Sequence, residues 1–168
     1  MKKDLIYRQR YLNTVRPFIG KQLIKVFTGQ RRVGKSYLLF QIMQEIRAAD
    51  KHVPMVYINK EDLAFSYLKT AQDLADFVLS EKKSGRKNYV FIDEIQEIQD
   101  FEAALRSLLL DDELDLYCTG SNAHLLSRDI AGALSGRAVE IHVHSLSYPE
   151  FLQFMRFEDS DKAMAQYL

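Results

Sequence analysis

The sequence has one cysteine, Cys118, no tryptophan, three prolines and seven glycines in 168 residues. A single thiol excludes a disulfide framework and a cysteine-based zinc site within the chain. So few prolines and glycines leave no low-complexity segment, and no internal repeat is visible. No apolar run approaches the length of about 20 residues that spans a bilayer. The opening MKKDLIYRQRYLN carries Asp4, Arg8 and Arg10 where a secretion signal would be apolar, so the simplest compartment is the cytoplasm. Net charge is absent too: 23 basic and 23 acidic side chains cancel, so bulk charge points to neither nucleic acid nor membrane. What remains, 47% apolar and 27% charged residues, is the composition of one globular domain with a substantial core.

The balance conceals a gradient. Residues 1–36 carry a net charge of +9, residues 37–88 of +1, residues 89–119 of −8 and residues 120–168 of −2. A basic opening block suits an anionic ligand, either a nucleotide or a nucleic acid; the competing reading is a solvated helix face.

Periodicity predicts alternating strands and helices. Leu5–Arg16 reads as a helix interrupted at Arg8 and Gln9 and stopped by Pro17. Leu23–Thr28 reads as a strand, and a helix from Lys35 to about Ala48 buries Leu38, Leu39, Ile42, Met43 and Ile46. Val53–Ile58 is a second strand whose Pro54 suits an edge. Ala71–Glu81 is a helix, Tyr89–Ile92 a strand covered on both faces, Phe101–Leu110 a helix and Leu114–Thr119 a strand. Ala123–Leu134 follows as a helix. Val139–Val143 alternates apolar with polar residues, as on an edge strand with one wet face. Tyr148–Arg156 and Ala163–Leu168 read as helices. This order implies a three-layer α/β domain around a five-stranded parallel sheet. The chain stops inside an apolar-patterned helix at Tyr167-Leu168, which suggests a fragment of a longer protein.

The run Gly29, Gln30, Arg31, Arg32, Val33, Gly34, Lys35, Ser36 matches the phosphate-loop pattern G-x-x-x-x-G-K-[ST] between a strand and a helix. The chemistry requires these types. Glycines let successive N–H groups face a phosphate, and the helix adds the positive end of its dipole. Lys35 supplies a point charge for the β- and γ-phosphates, Ser36 a hydroxyl for Mg²⁺, and Tyr37 follows directly. Asp93 and Glu94 end the apolar strand YVFI. At the carboxyl end of a parallel strand, Asp93 would hold Mg²⁺ through water while Glu94 polarises an attacking water. The competing reading is an acidic first turn of a helix.

Residues just past the other strands converge on the same rim. Asn59 follows the second strand, and Ser121 and Asn122 follow the fourth, either as helix caps or as sensors of the γ-phosphate. Arg137 precedes the last strand and either stabilises transferring phosphoryl charge, in cis or from a neighbouring subunit, or is a surface arginine. Asn59-Lys60-Glu61-Asp62 mimics a guanine-recognition motif, but it precedes Asp93 and is read as a false match. Glu140, His142 and His144 share a strand face without a fourth ligand, which favours a wet edge over a metal site. Cys118 reads as an inert core residue.

The segments GQRRVGKS, YVFIDEIQEI, FEAALRSLLLD, LYCTGSNAHLLS, LSGRAVEIHVHSL and YPEFLQF together resemble prokaryotic AAA+ superfamily P-loop ATPases that carry a C-terminal domain of unknown function. The resemblance runs from about Leu5 to Leu168. It implies a P-loop NTPase sheet in the order 5-1-4-3-2, with Lys35 and Ser36 in the Walker A roles and Asp93 and Glu94 in the Walker B roles. It further implies Asn122, or else Ser121, as first sensor, Asn59 as a polar switch on the catalytic glutamate, and Arg137 as an arginine finger within a homo-oligomer. It implies ATP and Mg²⁺ as cofactors; the aromatic or apolar residues of Tyr7–Phe18 are candidates to cradle the base. Residues 1–168 would then be the ATP-binding core with an N-terminal helix, truncated before the helical lid and the C-terminal domain.

Two functions follow. The first is an Mg²⁺-dependent ATPase that drives a conformational change. The second is a slowly hydrolysing, nucleotide-controlled binding switch that contacts DNA through the basic N-terminal block, with Tyr7 and Tyr11 interleaved. A small-molecule kinase fits poorly, because Glu94 stands beside the metal carboxylate and no arginine-rich lid is present.

Overall fold

The computed structural model describes residues 6–121, 132 and 134–167. Five parallel strands form one sheet in the order β2-β3-β4-β1-β5. They are β1 (Ile24–Gly29), β2 (Met55–Asn59), β3 (Asn88–Asp93), β4 (Leu114–Ser121) and β5 (Ala138–His142). Read from the other edge this is 5-1-4-3-2, the expected order. Helix α1 (Gln9–Val15) precedes β1; α2 (Lys35–Ala49), α3 (Ala71–Glu81) and α4 (Phe101–Leu108) fill crossovers; α5 (Tyr148–Met155) and α6 (Asp161–Tyr167) follow β5.

The period of two along each strand splits the core between the faces. Val26, Val90, Ile92, Leu116 and Cys118 face Leu74 and Val78 of α3 and Leu105 and Leu108 of α4. Phe27, Phe91 and Tyr117 face Leu12 and Val15 of α1 and Leu38, Leu39 and Ile42 of α2. Phe91 and Tyr117 stack with ring centroids 4.5 Å apart. The interior strand β1 is buried at all six positions, Lys25 and Thr28 included, because both its faces are covered. The edge strand β5 buries Ile141 and exposes Glu140 and His142, so its alternation was read correctly. Pro54 immediately precedes β2, the other edge.

Two differences from the sequence reading have clear causes. The first helix begins at Gln9, not Leu5. Arg8, read as an interruption of its apolar stripe, is only 6% exposed. Its guanidinium donates to the carbonyls of Val33, His144 and Ser145 and to both carboxylate oxygens of Glu150, which satisfies the buried charge. Helix α4 ends at Leu108 instead of Leu110, and the chain then turns so that Leu110 is exposed. The expected helix Ala123–Leu134 falls mostly outside the described residues.

A second charged group is interior. Lys25 and Asp115 are fully buried and form an ion pair. Asp115 also accepts from the Gly20 amide at 2.7 Å and the Tyr117 hydroxyl at 2.8 Å, and Lys25 donates to the Lys21 carbonyl at 2.8 Å. Burial pushes the Lys25 ammonium down from its usual value, and the Asp115 charge opposes the shift.

Candidate nucleotide site

Parallel strands deliver their carboxyl ends to one rim, and three chain segments meet there. The first leaves β1. Gly29 adopts φ +150°, and a Cβ there would lie 2.3 Å from the Val143 carbonyl oxygen, so only glycine fits beside the chain emerging from β5. Arg32 and Gly34 follow at φ 67° and 92°. This alternation of backbone hand turns successive amides to one side, the arrangement that binds anions. A left-handed arginine costs about 1–2 kcal/mol, a strain the surrounding contacts must hold. Val33 is buried in the core, while Gln30, Arg31 and Arg32 are exposed. The Arg8 guanidinium holds the Val33 carbonyl at 3.0 Å and so ties the loop to the N-terminal segment.

Helix α2 begins at Lys35 with Gly34 at its N-cap. Lys35 is 4% exposed, and its ammonium donates to the carbonyls of Gly29 at 3.1 Å and Gln30 at 2.9 Å. Ser36 is half-buried on the first helical turn, and Tyr37 is exposed, its ring edge-on to Phe40.

The second segment leaves β3. Asp93 is 3% exposed. One carboxylate oxygen accepts from the Thr119 hydroxyl at 2.5 Å and the other from the Tyr57 hydroxyl at 3.0 Å. Burial and the Asp93 charge push the Tyr57 phenol far above its usual value, which keeps it a donor. Glu94 adopts φ 57°, so its side chain leaves in a different direction from that of Asp93. Its carboxylate lies 3.9 Å from the Lys35 ammonium and accepts from the Gln96 amide at 2.5 Å. The side-chain oxygen of Gln96 is buried without a partner, an open acceptor beside Glu94.

The third segment brings the neighbouring strand ends. Asn59 is in register with Asp93, and Ser121 with Gly29. Asn59 and Ser121 are half-buried, and the Asn59 side-chain oxygen Oδ1 accepts from the Glu61 backbone amide. Lys60 donates to the carbonyls of Phe65 and Leu68, and Asp62 accepts from the Ala64 amide. The N-K-x-D residues thus shape their own loop, which agrees with reading them as a false match. Asn122 lies outside the described residues.

Two expectations need correction. Arg137 stands before Ala138, which pairs with Ile24 at the start of β1. At about 3.3 Å per residue, the five residues of β5 separate it from the loop rim by roughly 17 Å. The cis role for Arg137 is therefore lost; it is exposed at the opposite rim and can meet a phosphate only on another copy. The DNA-contacting block also shrinks. Arg8 is internal, and Tyr11 is 5% exposed with its hydroxyl accepting from the His144 amide. Only Tyr7 of the two tyrosines is exposed, and its hydroxyl donates to Gln44. Finally, Arg8, Tyr57, Thr119 and Gln96 shape the site yet went unread. Thr119 lay within the distinctive TGSN segment, but no spacing marked the other three.

Glu140 accepts from the Thr28 hydroxyl at 2.7 Å, and His142 packs edge-on against His144. Among the described residues no trio of histidine, cysteine or carboxylate side chains is placed to hold a metal ion. Burial pushes the Cys118 thiol up to about 12, so it is inert as expected.

A cleft of about 650 Å³ adjoins the loop, lined by Tyr7, Arg10 and Tyr11 on one wall and Val143, His144 and Ser145 on the other, with Gln30 and Val33 beneath. The donor set beside it combines a concave run of amides, one ammonium, a hydroxyl and two carboxylates. Those groups fit a polyphosphate with a divalent cation, since two carboxylates beside a polyanion require a cation between them.

The fold and rim define a class, the AAA+ P-loop ATPases. Solved structures with this architecture include yeast Hsp104 in its ADP complex (TM-score 0.70, 18% identity, 92% of this chain and 24% of that one). Caenorhabditis elegans PCH-2 superposes with a TM-score of 0.63 at 20% identity over 90% of this chain and 48% of that one. The Aeropyrum pernix ORC1 protein, solved with DNA, gives 0.61 at 13% identity over 98% and 51%. Within that class the chain belongs to the AAA domain family, whose model matches residues 21–152. An uncharacterized protein of Haemophilus influenzae is 35% identical over 99% of this chain and 43% of its own length. One of Methanocaldococcus jannaschii is 38% identical over 80% of this chain and 29% of its own length. The chain thus spans less than half of either relative. No helix among the described residues is long and apolar enough to cross a membrane.

Proposed function

We propose that this chain is an ATP-binding core that hydrolyses ATP with Mg²⁺ and uses the cycle to drive a conformational change. The observation that carries the reading is the 3.9 Å approach of the Lys35 ammonium to the Glu94 carboxylate at the mouth of the loop. A cation for the phosphates and a base for the attacking water then stand within ion-pair distance at one mouth of the loop. Bound Mg²⁺ supplies charge neutralisation between the phosphates and the carboxylates.

The chain's own residues do the rest. The amides of residues 30–36 and the Lys35 ammonium orient the phosphates. Ser36 and Asp93 would hold the metal, Asp93 through water, with each Asp93 oxygen oriented by a protein hydroxyl. Glu94 takes the proton of the attacking water. Asn59 and Ser121 read the γ-phosphate from the ends of β2 and β4, and the role given to Asn122 rests on the resemblance alone. The base and ribose occupy the cleft between Tyr7–Tyr11 and Val143–Ser145. Arg137 serves a neighbouring copy in a homo-oligomer.

The test is steady-state ATP turnover by the full-length protein. Glu94→Gln is expected to bind ATP as the parent does and to lose at least about 100-fold in kcat. Turnover at the parent rate would remove Glu94 from its role. Lys35→Ala is expected to lose ATP binding itself.

A further inference from the structure

Thr119 lies on β4 beside the end of β3 and is fully buried. A hydroxyl offers one donor and two acceptor positions, and Thr119 uses both functions on the acidic pair. It donates to one oxygen of Asp93 at 2.5 Å and accepts from the backbone amide of Glu94 at 3.0 Å. Tyr57, on the opposite flank of β3, donates to the other Asp93 oxygen at 3.0 Å. The Asp93 carboxylate is therefore fixed in rotation by one hydroxyl from each neighbouring strand. The left-handed turn at Glu94 is pinned by the same Thr119 oxygen, so one side chain sets the direction of both carboxylates.

We propose that Thr119 is the positioning residue of this site: its hydroxyl aligns Asp93 toward the metal and Glu94 toward the attacking water, with Tyr57 completing the hold on Asp93. The proposal rests on the ATPase reading and deepens it. Neither hydroxyl touches the phosphate loop, so nucleotide capture and metal alignment are separable properties. Groups that orient metal-holding carboxylates typically change metal affinity or activity by about 10–100-fold when removed.

The experiment compares Thr119→Val, Thr119→Ser and Tyr57→Phe in the full-length protein. It measures kcat, the Mg²⁺ concentration for half-maximal turnover at saturating ATP, and ATP affinity with chelator present. Valine keeps the shape of threonine and lacks the hydroxyl; serine keeps the hydroxyl and lacks the methyl. Thr119→Val is expected to lower kcat by about 10–100-fold and raise the Mg²⁺ requirement, with metal-free ATP affinity within about twofold of the parent. Thr119→Ser is expected to return within about threefold of the parent. Tyr57→Phe is expected to raise the Mg²⁺ requirement with a smaller loss of kcat, and it carries the test should the valine variant fail to fold. Parent-like kcat and Mg²⁺ dependence in Thr119→Val, or in Tyr57→Phe if only that variant folds, would overturn the proposal. So would a serine variant as impaired as the valine one. A parent that turns over no ATP would overturn the ATPase reading as well, so the two failures are distinguishable.

Discussion

Removing the charge of Glu150 tests whether Arg8 joins the two ends of the described chain. Glu150 lies 142 residues from Arg8, and its carboxylate accepts from the Arg8 guanidinium at 2.9 and 3.1 Å and from the Ser147 amide at 2.8 Å. Its side chain is 25% exposed and that of Arg8 is 7% exposed, so solvent screens the pair only partly. Burial alone would raise the Glu150 carboxyl; the Arg8 and Ser147 hydrogen bonds outweigh burial and hold it down at about 2, against 4.5 for a free glutamate. A depression of that size corresponds to about 3 kcal/mol of stability. The folded value is the lower one, so this stability is fully present above pH 4.5 and is lost as pH falls toward 2. Urea unfolding of the parent and Glu150→Gln from pH 7 to pH 3 reads the difference directly. The parent is expected to be more stable by about 3 kcal/mol at neutral pH, with half of that gap gone near pH 3.3. A gap that is already absent at pH 7, or that stays constant through the acid range, refutes the reasoning.

Two further outcomes follow from contacts away from the chemistry. Gly29→Ala places a Cβ against the Val143 carbonyl in a backbone conformation that alanine rarely adopts, so it should destabilise by about 2–3 kcal/mol in thermal or urea unfolding; a loss below about 0.5 kcal/mol would contradict the close approach. Asp115→Ala leaves the Lys25 ammonium buried beside two unmatched donors and should cost about 3–5 kcal/mol. Pairing Lys25→Met with Asp115→Asn removes both charges and keeps an acceptor for Gly20 and Tyr117, so it should recover much of that loss in the same assay.

The parts of the structure legible in the sequence are those made by local chemistry. The phosphate loop is one continuous segment whose glycines answer backbone needs on the spot, at Gly29 against Val143 and at Gly34 before α2. Alternation at Val139–Val143 reports one wet face, and the structure puts β5 at an edge. Convergent contacts were not legible. Arg8 looked like a break in an apolar stripe because its acceptors come from residues 33, 144, 145 and 150, which no local pattern brings together. Lys25 and Asp115 each sit inside a strand and look misplaced until the register sets β1 beside β4. Tyr57 and Thr119 passed as ordinary strand residues because threonine and tyrosine favour strands anyway. For Arg137 only the cis alternative falls, because the parallel direction of β5 puts the residue before it at the far rim.

The central claim is that the rim formed by Gly29–Ser36, Asp93 and Glu94 grips a metal-bound triphosphate. A crystal structure of the full-length protein with Mg²⁺ and a non-hydrolysable ATP analogue tests it most directly. The account predicts phosphates on the amides of residues 30–36, the Lys35 ammonium moved from the Gly29 and Gln30 carbonyls to the phosphates, and the metal between Ser36 and Asp93. A nucleotide bound elsewhere, or Lys35 still on its two carbonyls with the analogue present, would contradict it.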